Sequence, residues 1–310
     1  MEAFRKEILV SGAPRKVDCV EIDGQIYSIS KGLTRVVSLE EDEEWYRDVR
    51  DPDATIAALR KGPPRTDIFT FWQRFPDTQP HFGFYYELEP IAALPITSFD
   101  QWWKSQISPK HRNKIRKAEK QGLRVVEANF DDDFVRGMTD IFNETPVRQG
   151  RRFWHYGKDF DTVKRQFSRR LYREHLIGAY LGNELVGFMM LADAGPFMYV
   201  GQILSKIKHR DKAPNNALIG KAVELCERRK VPYMVYAYWG AGPFADFKRQ
   251  SGFERMLVPR YYVPLNEWGK LVLRLGLHRG LKGALPEPLR EKLKALRKTW
   301  LESRAIRGEA

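Results

Sequence analysis

Cysteine is almost absent from this chain. Cys19 and Cys226 are the only two, they lie far apart, and neither sits in a CxxC spacing, which excludes a disulfide framework and a zinc ribbon. A reducing, cytoplasmic setting is therefore expected, with no metal. Long apolar runs are also missing: no stretch approaches eighteen uninterrupted apolar residues, so no membrane-spanning helix is expected. Met1 to Val10 carries acids and lacks an extended apolar segment, which argues against a signal peptide. Acidic residues are outnumbered, 40 against 53 Lys and Arg, for a net charge of +13, and such a balance suits an anionic partner. What is present is a core: 43% of the 310 residues are hydrophobic and 13% aromatic, too apolar for a disordered chain. The length fits one complete domain with a partial companion.

The positive charge is concentrated. Residues 102–124, 145–175 and 269–310 carry +7, +6 and +7, which leaves −7 on the rest of the chain. Three basic segments thus sit on a mildly acidic body. Part of that acid is the run Glu40 to Glu44, expected to open a solvated helix reaching about Arg60, with acids at the positive end of the helix dipole.

Residues 1–98 read as strand-rich. Val17 to Ile22 and Gln25 to Ser30 flank Asp23-Gly24, a two-residue hairpin signal, and Leu33 to Leu39, Ile68 to Trp72 and His81 to Tyr86 are further strand candidates. Ser108-Pro109 opens a basic helix that ends at Gly122, with Ser108 at the cap and Pro109 in the first turn. A strand over Leu123 to Ala128 follows, then a helix capped by Asp131 to Asp133 with Phe134, Met138, Ile141 and Phe142 at helical spacing. The pattern continues with a basic loop Arg148 to Lys158, a helix over 161–173, and strands Leu176 to Tyr180, Leu185 to Ala192 and Phe197 to Ser205. Next come a helix from Pro214 to Arg229, strand Tyr233 to Tyr238, a helix from Pro243 to Gln250 and strand Phe253 to Val263. A meander feeding a βαβ unit predicts an α/β (α+β) protein with a mixed sheet, antiparallel then parallel, flanked by helices. The segment 267–310 reads as a basic helical tail with Leu289, Leu293, Leu296 and Trp300 on one stripe.

This order resembles the GNAT superfamily of acyltransferases. Ile177-Gly178-Ala179-Tyr180, the Gly182-Asn183 turn and Glu184-Leu185-Val186-Gly187-Phe188 resemble its central hairpin, and Phe247-Lys248-Arg249-Gln250-Ser251-Gly252-Phe253 resembles its closing helix-to-strand motif. Arg112 to Gly122 is similar to the opening helix of the Fem-type branch, which includes peptidoglycan aminoacyltransferases. The resemblance spans about residues 100–265. It implies a GNAT-like acyltransferase domain over 99–266, and residues 1–98 as a truncated N-terminal GNAT-like half, since Fem-type enzymes hold two such domains in tandem.

The resemblance further implies amide or ester formation through a tetrahedral oxyanion, which needs an oxyanion donor, a base and an acid. It places the acyl donor between splayed strands, here Phe197 to Ser205 and Tyr233 to Tyr238. Tyr199, Gln202, Tyr236 and Tyr238 are then the candidate catalytic side chains, and Gly201 allows a bulge. The glycine-rich loop whose amides cradle the coenzyme A pyrophosphate in GNAT enzymes is replaced by His209 to Ala217, without glycine before Gly220. Gly201, Arg210, Lys212, Asn215 and Asn216 remain as candidates to hold an anionic donor, either acetyl-CoA or another acyl-CoA, or the aminoacyl-tRNA used by Fem-type aminoacyltransferases. Arg148, Arg151, Arg152, His155 and Tyr156, in a loop mixing cations with aromatics, are candidate substrate contacts. The basic helix over 112–120 suits tRNA, and residues 268–300 suit peripheral contact with an anionic membrane or docking on the body. No carboxylate is placed as an obvious general base. The competing expectation is a catalytically silent protein of the same fold that binds RNA or a membrane.

Overall fold

The computed structural model describes residues 2–279 apart from 11, 12, 31, 41 and 42. The N-terminal segment supplies β1 (Glu2–Val10), β2 (Ala13–Ile22), β3 (Gln25–Ile29), β4 (Val36–Leu39), α1 (Pro52–Lys61), β5 (Ile68–Trp72) and β6 (Tyr86–Pro95). A short α2 (Phe99–Gln101) and one π-helical turn lead to α3 (Pro109–Lys120), β7 (Arg124–Ala128) and α4 (Asp132–Asn143). A small hairpin, β8 (Val147–Arg148) and β9 (Arg151–Arg152), precedes α5 (Phe160–Phe167). The chain then forms β10 (Glu174–Leu181), β11 (Glu184–Asp193), β12 (Met198–Ser205), α6 (Pro214–Arg228), β13 (Tyr233–Tyr238), α7 (Pro243–Gln250), β14 (Glu254–Pro264) and α8 (Glu267–Arg274).

All strands except the β8/β9 hairpin join one mixed sheet, in the order β1-β2-β3-β4-β5-β14-β6-β13-β12-β11-β10-β7. The strand that closes the 99–266 segment, β14, lies between β5 and β6 of the 1–98 segment, antiparallel to both. One sheet therefore runs through both segments. Helices α3 and α6 cover one face over a core of Ile115, Leu191, Met198, Leu218 and Met234. On the opposite face α4 and α5 bury Phe134, Met138, Phe142 and Val163 against Phe188 and Met190. The helix starts follow local chemistry: Ser108 Oγ accepts His111 N and Asp131 Oδ1 accepts Phe134 N, each filling an amide the first turn leaves free.

Several expectations are corrected. The acidic run does not open a helix: residues 43–46 form a single turn and α1 begins only at Pro52, capped by Asp51. Among its described acids, Glu43 and Glu44 are paired rather than solvated, Glu43 with Arg173 at 3.3 Å and Glu44 with Arg260 at 3.0 Å. Residues 81–85 are not a strand, because Tyr261 Oη and Gln73 Oε1 take the His81 amide (2.8 and 3.1 Å) in place of a ladder partner. The helix expected over 161–173 stops at Phe167 and continues as a 3₁₀ stretch kinked at Arg170. Of the tail, α8 is described and exposes Trp268 and Leu271, with Leu275 exposed just past its end; Leu289, Leu293, Leu296 and Trp300 lie outside the described residues. Among the described residues no helix is long and apolar enough to cross a membrane.

Gly269 fixes the seat of α8. A Cβ there would lie 2.0 Å from the Asp67 carbonyl oxygen, while Asn266 Oδ1 caps the helix at Gly269 N and its Nδ2 donates to Thr66 O. Helix propensity alone favours alanine by about 0.8 kcal/mol, but a backbone oxygen cannot yield as a flexible side chain would. Gly269→Ala is expected to destabilise the protein by about 2 kcal/mol, read as a lower urea midpoint at unchanged slope.

Candidate active site

The parallel strands β12 and β13 pair only at Met198 with Met234 and Tyr199 with Val235. Beyond those residues β12 stays on β11 as far as Ser205, and β13 returns to β6 at Tyr238, so the two diverge and open the sheet between them. The splaying implied by the resemblance is present. Its shape depends on two irregularities. Met190 pairs with Gln202 and Leu191 with Val200, so Gly201 is the extra residue of a bulge, as its position suggested. Tyr199 and Gln202, three residues apart, consequently lie on one face of the sheet. On β13, Ala237 adopts φ 45° and the register shifts between Val235 and Tyr238.

That second irregularity separates two tyrosines which alternation would place on one face. Tyr238 joins the aromatic group formed with the N-terminal segment: Trp45 stacks on Tyr199 at 5.0 Å, and both Trp45 and Trp72 lie within 6.0 Å of Tyr238. Tyr236 turns to the opposite face, against Phe244 and Phe253. The four candidate side chains do not converge on one face, and the opening is lined from both. Burial raises the pKa of all three phenols, with Tyr238 pushed up to about 12, and the Tyr199 hydroxyl is near enough to those of Tyr236 and Tyr238 to take part in the shifts. At neutral pH these hydroxyls stay protonated and act as donors rather than bases.

At the opening lies a lysine that the motif Phe247-Lys248 contains but whose chemistry sequence reasoning passed over. Lys248 is fully buried. Its Nζ donates to the carbonyls of Tyr236 (2.6 Å) and Tyr238 (2.5 Å), past the last β13 residue paired with β12. It also sits 4.4 Å from the Tyr236 ring centre and 4.2 Å from that of Phe244. Burial pushes its pKa down to about 7, while two carbonyl acceptors and two ring faces favour the ammonium. The available signal was positional. In α7, Lys248 falls three residues after the buried Ala245 and four after Phe244, on the apolar side.

The remaining candidates divide. Gln202 Nε2 reaches His155 Nε2 at 3.4 Å, and His155 is buried, stacked 4.2 Å over Phe142, with Lys158 Nζ at 3.1 Å from its Nδ1. Burial and Lys158 lower the His155 pKa to about 3, so it packs as a neutral ring, not as an exposed substrate contact. Arg148 is likewise used internally, donating to Ser205 O (2.9 Å) and Ile141 O (2.7 Å). Arg151, Arg152 and Tyr156 are exposed. Beyond β12, Arg210 is exposed, Lys212 pairs with Asp211 at 3.4 Å, and Asn216 Nδ2 lies 2.8 Å from Nδ1 of the buried His111. The Asn215 Oδ1 is buried without a partner.

The first amides after β12 are not free. Glu144 Oε2 accepts Ile207 N at 2.6 Å and Oε1 accepts Lys208 N at 3.0 Å. The glycine-free turn therefore does not offer these donors to a pyrophosphate.

A mixed sheet opened between two parallel strands, with helices on both faces and a strand-rich N-terminal half in the same sheet, is the Fem-type GNAT acyltransferase-like fold. Solved structures agree. The C-terminal domain of a protein assigned as a lysylphosphatidylglycerol synthetase from Agrobacterium fabrum superposes with a TM-score of 0.56 at 11% identity, over 84% of this chain and 87% of that one. FemX gives 0.53 at 11% identity, over 83% and 88%. The protein termed L-PGS from Bacillus licheniformis gives 0.52 at 16%, over 82% and 86%. No protein-family profile and no curated protein sequence matches the chain.

Proposed function

We propose that this protein is an acyltransferase that moves an activated acyl group to an amine or hydroxyl, with the opening between β12 and β13 as its active site. The observation that carries the reading is Lys248, a buried amine held where the sheet opens between β12 and β13. The acceptor's nitrogen or oxygen attacks the acyl carbonyl carbon, the new bond forms as the carbonyl pair moves onto oxygen, and collapse expels the donor's leaving atom. The proton lost by the acceptor is regained by that leaving atom. A Lys248 ammonium stabilises the oxyanion or supplies that proton, and the protonated hydroxyls of Tyr199 and Tyr238 add hydrogen-bond donors on the opposite face. The neighbouring folds include FemX, and the exposed cations Arg151 and Arg152 support a polyanionic donor such as aminoacyl-tRNA.

Thermal unfolding in the presence of acetyl-CoA or of charged tRNA tests the reading. A donor at a hundredfold excess over its Kd adds about 2.7 kcal/mol of stability, a rise of several degrees in Tm. The expected result is a rise with charged tRNA that is larger than with uncharged tRNA, together with loss of the acyl group on adding amines. If neither donor class stabilises the protein, the catalytic reading fails and the silent one stands.

A further inference from the structure

Two backbone donors of the turn after β12 are already answered by a carboxylate of the same chain. Glu144 spans the two successive amides of Ile207 and Lys208, as one oxyanion would. Its carboxylate is fixed in turn by Arg148 Nη2 at 3.2 Å, from a side chain 8% exposed. Three basic side chains at the turn, Lys206, Lys208 and His209, are occupied as well. Lys206 and Lys208 each approach Glu184 Oε1 at 2.7 Å, and His209 Nε2 lies 3.3 Å from its Oε2. Hydrogen bonds from Lys206 and Lys208 hold the Glu184 carboxyl down at about 2, so it is ionised at any working pH. Two carboxylates, one from the end of α4 and one from β11, thus face this turn, each held by cations. A phosphate entering there must displace Glu144 from its amides and from a buried arginine while facing Glu184 as a like charge.

We propose that Glu144 and Glu184 are specificity-determining residues that close this turn to phosphate, so that a coenzyme A thioester cannot be gripped here by its pyrophosphate. The acyl donor is then one whose anionic groups are held outside the turn. This rests on the acyl-transfer reading only for the word donor, because the exclusion is a binding property that a catalytically silent chain would share.

Calorimetric titration with coenzyme A and with inorganic pyrophosphate tests it on the full-length protein and on Glu144→Gln, Glu184→Gln and the double variant. Peptide-level hydrogen exchange over residues 206–212 is followed in the same samples. The wild type is expected to bind neither ligand measurably at this turn, with exchange over 206–212 unchanged. The double variant is expected to bind coenzyme A at least about tenfold more tightly, a gain of about 1.4 kcal/mol, with slowed exchange in that peptide. Coenzyme A that slows exchange over 206–212 in the wild type overturns the proposal. So does a folded double variant that binds no better than the wild type. If Glu144→Gln does not fold, the wild-type exchange result and the Glu184→Gln titration decide it, a gain in the latter supporting the proposal and no gain overturning it. Turnover enters none of these readouts, so failure of the acyl-transfer reading registers separately, in the donor assay.

Discussion

Replacing Lys248 by methionine is expected to lower acyl transfer at least about a hundredfold, the scale of losing one preorganised donor to a developing oxyanion or leaving group. The measurement is single-turnover transfer of a labelled aminoacyl group from charged tRNA. The pH profile separates this role from a purely structural one. Lys248 titrates at about 7, and an ammonium that donates is lost as pH rises, so the wild-type rate should fall through that region. Lys248→Met should lack that limb. A rate that rises through pH 7 would instead make the neutral amine the base, and an unchanged profile would remove Lys248 from the chemistry. Stability moves the other way. Because the folded pKa lies below the ordinary 10.5, the unfolded chain binds more protons between about 7 and 10.5, and stability rises with pH across that window. The variant loses this slope, so a folded Lys248→Met protein with a flatter stability profile and no transfer separates catalytic loss from unfolding.

The route from sequence to this site was uneven for physical reasons. Strands β10 to β13 and helices α3, α6 and α7 could be read because local signals coincide there: Ser108-Pro109 at a cap, Gly182-Asn183 in a turn, and apolar periodicity between them. The bulge at Gly201 was legible since glycine in a strand marks irregularity. Its counterpart at Ala237 was not, because alanine advertises no left-handed backbone, and the resulting reversal of Tyr236 escaped strand alternation. Long-range pairing was invisible for another reason. Nothing local to Glu254–Pro264 specifies that β14 inserts between β5 and β6, and nothing local to the Glu40 to Glu44 run shows that Arg173 and Arg260 will meet it. Glu144 belongs to the same class: it ends α4 in the sequence, 63 residues from the Ile207 amide it accepts.

Acidification should expose the two buried histidines. Burial and Lys114 lower the His111 pKa to about 4, and burial and Lys158 lower that of His155 to about 3, against an ordinary 6.5. Between pH 6.5 and 5 the unfolded chain takes up a proton at each position while the folded chain does not, so stability falls as pH falls. Each contributes a loss of about 2 kcal/mol over that interval. Glu174 opposes them. Burial raises its pKa to about 7 from 4.5, so in this interval the folded carboxyl holds a proton that the unfolded one lacks, and lowering the pH returns about 2 kcal/mol. The net expectation for these three groups is a loss of about 2 kcal/mol between pH 6.5 and 5. Single variants separate the signs. His155→Phe, which keeps the ring stacked on Phe142, should bring the loss near zero, and Glu174→Gln should roughly double it. Urea unfolding at pH 6.5 and pH 5 measures all three proteins. A Glu174→Gln variant no more acid-sensitive than the wild type would mean that this carboxyl is ionised in the folded protein, compensated by Arg170 and Arg173. The tyrosine row from Tyr46 to Tyr199 would then face a charge rather than a neutral acid, since Glu174 also contributes to the raised pKa of Tyr46.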